Sequence, residues 1–220
     1  MLLSKIRLAK LFNARSGEDG YIIANGPSLK NENLEILKDK RNCISINASP
    51  LLEDSYGYNS EFYCLTDPRF FLIDEKRDIA INKISKPGTL TLCRDILETS
   101  IPENLRKDVV YLPSLGRDGF SKNLLRGFFF GSSTTMLALQ LAYWLGLKNV
   151  YLLGLDLDYL SARYCRFYDE KEIQENDLLV SVQLHNFELA NKVFEMDGRK
   201  LFVTNPQSWA RLYIQHRKLQ

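Results

Sequence analysis

Two turns rich in small polar residues carry the strongest chemical signal in this chain. The first is Asn25-Gly26-Pro27-Ser28. Gly26 allows a sharp turn, and Pro27 stiffens it and suits the first positions of a helix. A helix N-terminus offers unpaired N–H groups and partial positive charge, a natural seat for phosphate. Ser28 is placed either to cap such a helix or to donate to the phosphate. The segment lacks the three-glycine spacing of a dinucleotide loop and the lysine of a P-loop. The second turn, Gly131-Ser132-Ser133-Thr134-Thr135, opens a long apolar segment. Its hydroxyls suit a phosphate, a ribose or a sugar carboxylate; they equally suit a cap on a buried helix.

Further polar groups follow short apolar runs: Asn47, Thr66-Asp67, Arg94 and Gly154-Leu155-Asp156. Asp156 and Asp158 form an Asp-x-Asp pair, which is either a Mg²⁺ or Mn²⁺ holder or a loop-capping pair. Tyr159, Tyr164 and Tyr168 cluster just beyond. Their phenols can hydrogen-bond a departing phosphate without a metal, or pack under a loop. His185 falls off the apolar stripe Leu179, Val182, Phe187, Ala190, Val193, Phe194 of its helix. Glu188 follows one turn on and could orient it as a base. His216 sits in the basic tail and is expected to be solvated.

The elements that must position these groups alternate. Short, nearly continuous apolar runs predict strands over 21–24, 43–47, 62–65, 89–93, 109–112, 150–153 and 201–203, buried on both faces. Helices are predicted over 29–39, 70–83, 133–145, 177–196 and 207–215, with Gly146 and Gly198 as terminators. This is an open, mostly parallel, doubly wound α/β (Rossmann-like) sheet. In such sheets ligands bind beyond the carboxyl ends of the strands, where the polar groups above collect. Residues 1–20 read as a basic amphipathic N-terminal segment, and 20–220 as one α/β domain. The stretch at about 157–180 reads as a lid.

Composition supports an ordinary globular chain: 220 residues, 45% apolar, 25% charged, net +2. That balance excludes a whole-domain nucleic-acid binder. Cys43, Cys64, Cys93 and Cys165 fit no metal or CxxC spacing; the first three sit in apolar, strand-like runs and are expected as buried free thiols, in a reducing compartment. No run reaches the ~20 apolar residues of a membrane span. A secretory signal is not expected. The expectation is a cytoplasmic protein, with the basic ends in peripheral contact with the anionic inner-membrane surface. Self-association as a homo-oligomer is left open.

Tyr21-Ile-Ile-Ala-Asn-Gly-Pro-Ser-Leu-Lys30 resembles the opening strand and nucleotide loop of bacterial sialyltransferases of the Campylobacter type. It is also similar to the wider group of motility-associated flagellin glycosyltransferases and hydroxymethylpterin pyrophosphokinase-like proteins. Four further segments agree in order: Ile44–Asn47, Glu61–Phe71, Gly131–Asp156 and Lys200–Ser208. The resemblance implies an inverting, metal-independent glycosyltransferase. It would move a sialic-acid-like or Kdo-like sugar from a CMP-activated donor to a surface-glycan acceptor. The donor is a substrate; neither a cofactor nor a metal is implied. By the resemblance, Asn25, Gly26 and Ser28 would hold the nucleotide, with Asn47, Asp67 and Asp156 around the sugar–nucleotide. Tyr159 and Tyr164 would stabilise the leaving phosphate, and His185 would act as base, although the family's histidine aligns about one turn earlier, near Ser181. An arginine that precedes the second turn in the family is replaced here by Phe128, Phe129 and Phe130, Arg126 being the nearest basic residue. Two alternatives stand beside this: an ATP- and Mg²⁺-dependent pyrophosphokinase-like enzyme, and a non-catalytic nucleotide-binding subunit.

Overall fold

The computed structural model describes residues 2–159, 166–168 and 178–219. Its strands in chain order are β1 (Asp19–Ile23), β2 (Cys43–Ile46), β3 (Phe62–Leu65), β4 (Leu90–Arg94) and β5 (Val109–Leu112). There follow β6 (Ser114–Gly116), β7 (Phe128–Phe129), β8 (Asn149–Leu153), β9 (Lys200–Val203) and β10 (Gln215–His216). Eight of them form one sheet, ordered β10-β9-β8-β1-β2-β3-β4-β5, and β6 pairs with β7 separately. Every pairing is parallel. All residues of β2 and β3 are buried, which is why these runs are continuously apolar rather than alternating. The chain winds outward from β1 to β5, returns to lay β8 on the other side of β1, and winds outward again. The reversal point therefore lies between β1 and β8.

The helices are α1 (Leu2–Lys10), α2 (Glu53–Tyr56), α3 (Arg69–Leu72), α4 (Asp74–Ser85), α5 (Glu103–Arg106), α6 (Thr134–Leu145) and α7 (Val180–Met196). In α6 every residue but Tyr143 is buried. Ser133 caps it, its Oγ accepting the Thr135 N–H at 3.3 Å. Gly146, at φ 86°, ends it in the left-handed conformation the sequence predicts. The last carbonyls of α6 go to residues after α1. Asn13 N–H donates to Trp144 O at 2.9 Å, and Arg15 N–H to Leu145 O at 2.8 Å. Trp144 Nε1 in turn donates to Leu8 O at 2.8 Å, and Leu8 is buried. The basic N-terminal segment is thus packed against the domain. Gln140, fully buried in α6, binds both the N–H and the C=O of Phe129 and the N–H of Ser121. That one amide pins the excursion containing β6 and β7 onto the helix.

The seven predicted strands are all present, with ends shifted by at most two residues; several predicted helices are not. The segment predicted as a helix over 29–39 is two 3-10 stretches, Pro27–Asn31 and Leu34–Asp39. Ser28 does not cap: its backbone N–H goes to Asp156, and Glu32 turns inward so that Oε1 accepts the Gly154 N–H at 3.4 Å. The helix predicted over 70–83 breaks at Ile73, which is extended at φ −110°, ψ 124°. The helix predicted over 207–215 is one 3-10 turn, Trp209–Leu212, followed by edge strand β10. The buried face of α7 is also rotated from the predicted stripe. It carries Gln183, Asn186 and Asn191 beside Phe187, Ala190 and Phe194. Buried amides are invisible to an apolar pattern, yet each is bonded here; Asn186, for instance, accepts the Gly119 N–H and donates to Asp118.

Cys43, Cys64 and Cys93 are buried and free, as expected, and burial pushes the Cys43 thiol up to about 12. Cys165 lies outside the described residues. Among the described residues no helix is long and apolar enough to cross a membrane.

Candidate active site at the β1–β8 reversal

Beyond the carboxyl ends of β8, β1, β2, β3 and β4 lies a cavity of ≈ 220 Å³. This is where an open α/β sheet binds its ligand. The two turns singled out in the sequence meet here. Asn25 and Gly26 form one wall, and Ser132, Ser133, Thr134 and Thr135 form another. Thr66 at the end of β3 ties the second wall to the sheet through a 2.6 Å hydrogen bond between its Oγ1 and that of Thr134.

The first turn is more crowded than its sequence suggests. Gly26 has an ordinary φ of −68°, so it is not needed for a left-handed turn. It is needed for close approach: a Cβ there would fall 2.3 Å from Asp156 Oδ2 and 2.5 Å from the Gly154 carbonyl. Asn25 uses its amide to bridge strands, accepting the Ala48 N–H at 3.1 Å and donating to Ile46 O at 3.3 Å. Its backbone carbonyl accepts the Phe167 N–H at 3.0 Å, which docks residues 166–168 over the turn. Asp156 is buried and spends one oxygen on the Ser28 N–H, at 2.9 Å, and the other on Asn205 Nδ2, at 2.7 Å. The Ser28 N–H offered to phosphate by the sequence reading is therefore taken.

The cavity's charged lining is three arginines, Arg69, Arg94 and Arg166, and three aspartates, Asp67, Asp156 and Asp158. Arg69 clasps Asp67, with Nη2 2.6 Å from Oδ2 and Nε 3.0 Å from each oxygen. Arg94 lies over the Phe130 ring, 5.1 Å from its centroid, and its buried Nε has no hydrogen-bond partner. Arg166 lies 5.0 Å from the Tyr159 ring centroid, and the Tyr159 hydroxyl donates to Gln183 Oε1 at 3.3 Å. Asn47 presents a buried Oδ1 without a partner. Left-handed backbone also gathers here: Asn47 at φ 51°, Ser132 at 55° and Leu157 at 61°. For a leucine that conformation is strained, and strain of this kind concentrates at ligand sites.

Of the residues singled out in the sequence, Asn25, Gly26, Asn47, Asp67, Ser132, Ser133, Thr134, Asp156 and Tyr159 line this one cavity. Pro27 and Ser28 line an adjoining cavity of ≈ 610 Å³, which shares Asp156 and Asp158 with the first and is closed by Glu32, Thr204 and His216. His216 is half-buried there, its Nε2 3.2 Å from Thr204 O, rather than solvated. His185 is exposed and lines neither cavity. Glu188, expected to orient it, pairs with Lys192 at 2.5 Å. Tyr164 lies outside the described residues, as does most of the segment read as a lid. Tyr168 packs edge-on against Phe167. Arg69, Arg166 and Gln183 were not singled out. Arg69 carried a signal, since it follows Asp67 by two residues after a strand; Arg166 and Gln183 carried none without the fold.

The chain matches the family model described as 6-hydroxymethylpterin diphosphokinase MptE-like over residues 2–162. No curated protein matches. Among solved structures, the Campylobacter jejuni sialyltransferase CstII in complex with cytidine-5'-monophosphate is similar at 15% identity and a TM-score of 0.56. The match covers 91% of this chain and 85% of that one. CstII with a trisaccharide acceptor and CMP gives 18% identity and 0.53, over 90% and 86%. The MAf glycosyltransferase of Magnetospirillum magneticum AMB-1 gives 15% and 0.57, over 99% of this chain but 38% of that longer protein. At such identities the likeness is one of fold, and it confirms the doubly wound architecture. The family match spans most of the chain, and on it the chain belongs to the 6-hydroxymethylpterin diphosphokinase MptE-like family.

Proposed function

We propose that the chain is a glycosyltransferase that moves a sialic-acid-like or Kdo-like sugar from a CMP-activated donor to a glycan hydroxyl, with inversion and without a metal. The observation that carries this reading is the cavity itself. It sits at the sheet's reversal point and combines hydroxyls at the start of α6 with three arginines and a tyrosine, while two of its three aspartates, Asp67 and Asp156, are bonded to Arg69 and to Ser28 and Asn205. That is the equipment for an anionic, hydroxyl-rich ligand. In the reaction the bond from the anomeric carbon to the phosphate oxygen breaks, its electron pair leaving on CMP. The acceptor oxygen forms the new bond and passes its proton to solvent water, so that CMP leaves as the anion. Ser132, Ser133 and Thr134 at the N-terminus of α6 would hold the phosphate, and the Tyr159–Arg166 pair would stabilise its growing charge. The solved relatives bound to CMP and to a trisaccharide acceptor support the choice of donor and acceptor class.

The family's description supports a second reading, diphosphoryl transfer from ATP with Mg²⁺. The carboxylates do not fit that ion well. Asp67 is clasped by Arg69, and Asp156 spends its oxygens on the Ser28 N–H and on Asn205. Thermal stabilisation separates the two readings. CMP without Mg²⁺ should raise the midpoint of unfolding. Stabilisation by ATP only when Mg²⁺ is present, and none by CMP, would replace the first reading with the second.

A further inference from the structure

Arg94 ends β4, three strands from β1, so a ligand reaching from the Gly26 turn to Arg94 spans about 14 Å of sheet. A phosphate alone is far smaller than that; a nucleotide-linked sugar is not. Arg69 is engaged with Asp67, and both Arg166 and Arg94 lie over aromatic rings, Tyr159 and Phe130. Among the described residues Arg94 is the cavity arginine whose buried Nε is unsatisfied. A buried guanidinium donor without an acceptor costs stability, and a ligand that draws the side chain toward the cavity and pairs this donor would remove that cost. Phe130 backs the guanidinium, and an arginine in the cavity lining can offer a carboxylate a two-point contact. The phosphate already has the hydroxylated start of α6, so the anion left for Arg94 belongs to the other end of the donor.

We infer that Arg94, backed by Phe130, is the specificity-determining residue that receives a carboxylate on the transferred sugar. This rests on the glycosyltransferase reading. It also gives Phe130 a purpose: a cation arriving from β4 stands over this ring, while Arg126 is exposed and outside the cavity.

The test is calorimetric titration of the wild type, Arg94→Gln and Arg94→Lys with two probes, free CMP and CMP-N-acetylneuraminic acid. Arg94→Gln should leave CMP affinity within about twofold and weaken the carboxylated donor about 10- to 100-fold, the range for a lost charge-assisted contact. Arg94→Lys should recover part of that loss. Equal weakening of both probes would show that Arg94 holds the nucleotide, and no weakening of either would show that it holds nothing; each overturns the inference. A wild type that binds CMP but not the donor overturns this inference alone. A wild type that binds neither overturns the glycosyltransferase reading along with it.

Discussion

Asp156 and Ser28 are separated by 128 residues, yet Asp156 Oδ2 accepts the Ser28 backbone N–H at 2.9 Å. Its other oxygen takes Asn205 Nδ2. One carboxylate thus fastens the turn after β1 and the turn after β9 to the end of β8. Asp156→Asn would set an NH₂ group against one of those two donors. Asn205 cannot simply flip, because its Oδ1 already accepts the Gln207 N–H at 3.0 Å. The variant should lose about 1–3 kcal/mol in urea unfolding, the cost of leaving a buried donor unpaired. A loss below about 0.5 kcal/mol, within the range of ordinary surface substitutions, would mean that the carboxylate does not hold these turns.

Gly26→Ala is the smallest change that fills the gap between the turn and β8. The added methyl would overlap Asp156 Oδ2 and the Gly154 carbonyl. Because φ is −68°, backbone strain plays no part, and the cost is one of overpacking, about 1–3 kcal/mol. Combined with Asp156→Ala, which clears one of the two clashes, the substitution should cost less than the sum of the single variants. Strict additivity in a double-mutant cycle would contradict the geometry.

The buried ion pair of Glu53 and Lys83 ties stability to pH on the acid side. Glu53 Oε1 and Lys83 Nζ are 2.8 Å apart, both side chains 1% exposed. Burial alone would raise the Glu53 carboxyl, but hydrogen bonds and charge from Lys83 and Lys86 outweigh it and hold the group below its usual range. The native state therefore binds this proton less readily than the unfolded state. The resulting stability is present above the unfolded value and is lost as pH falls through the folded one. Lys83→Met should cost about 3–5 kcal/mol at pH 7. It should also flatten the acid limb of a stability–pH curve. An unchanged acid limb would show that another group controls it.

Glu32 behaves in the opposite sense. Burial, with a smaller push from the Asp156 charge, raises its carboxyl above the usual range. The folded protein holds this proton more tightly, so stability falls as pH rises from the unfolded value through the folded one. Glu32→Gln keeps an oxygen for the Gly154 N–H and removes the charge. It should melt higher than the wild type at pH 7 and lose that advantage near pH 4. A lower melting temperature at pH 7 would show that the ionised form is the stabilising one.

The sheet was legible because its strands are buried on both faces and so appear as continuous apolar runs; β3 and β5 match their predicted limits. The start of α6 was legible through Ser133 and its end through Gly146. The convergence of Asn25 and Gly26 with 132–135 followed from the rule that an open α/β sheet binds ligand beyond the carboxyl ends of its strands. What failed depended on polar side chains with distant partners. Glu32 serves Gly154 rather than a local helix, and the amides of α7 are buried because each finds a partner in another segment. The pairing of Arg94 with Phe130 joins a strand end to a loop, and no periodicity records it. His185, placed off the apolar stripe by its spacing, is exposed and lines neither cavity.

One end of α6 faces the cavity, and the residues following α1 grip the other, about 18 Å away along the axis. A rod clamped in this way transmits loosening as well as load. Deuterium uptake at the amides of Asn13 and Arg15 should slow when a nucleotide occupies the far end. By the same coupling, trimming the first dozen residues, remote as they are from any chemistry, should blunt the grip on ligand.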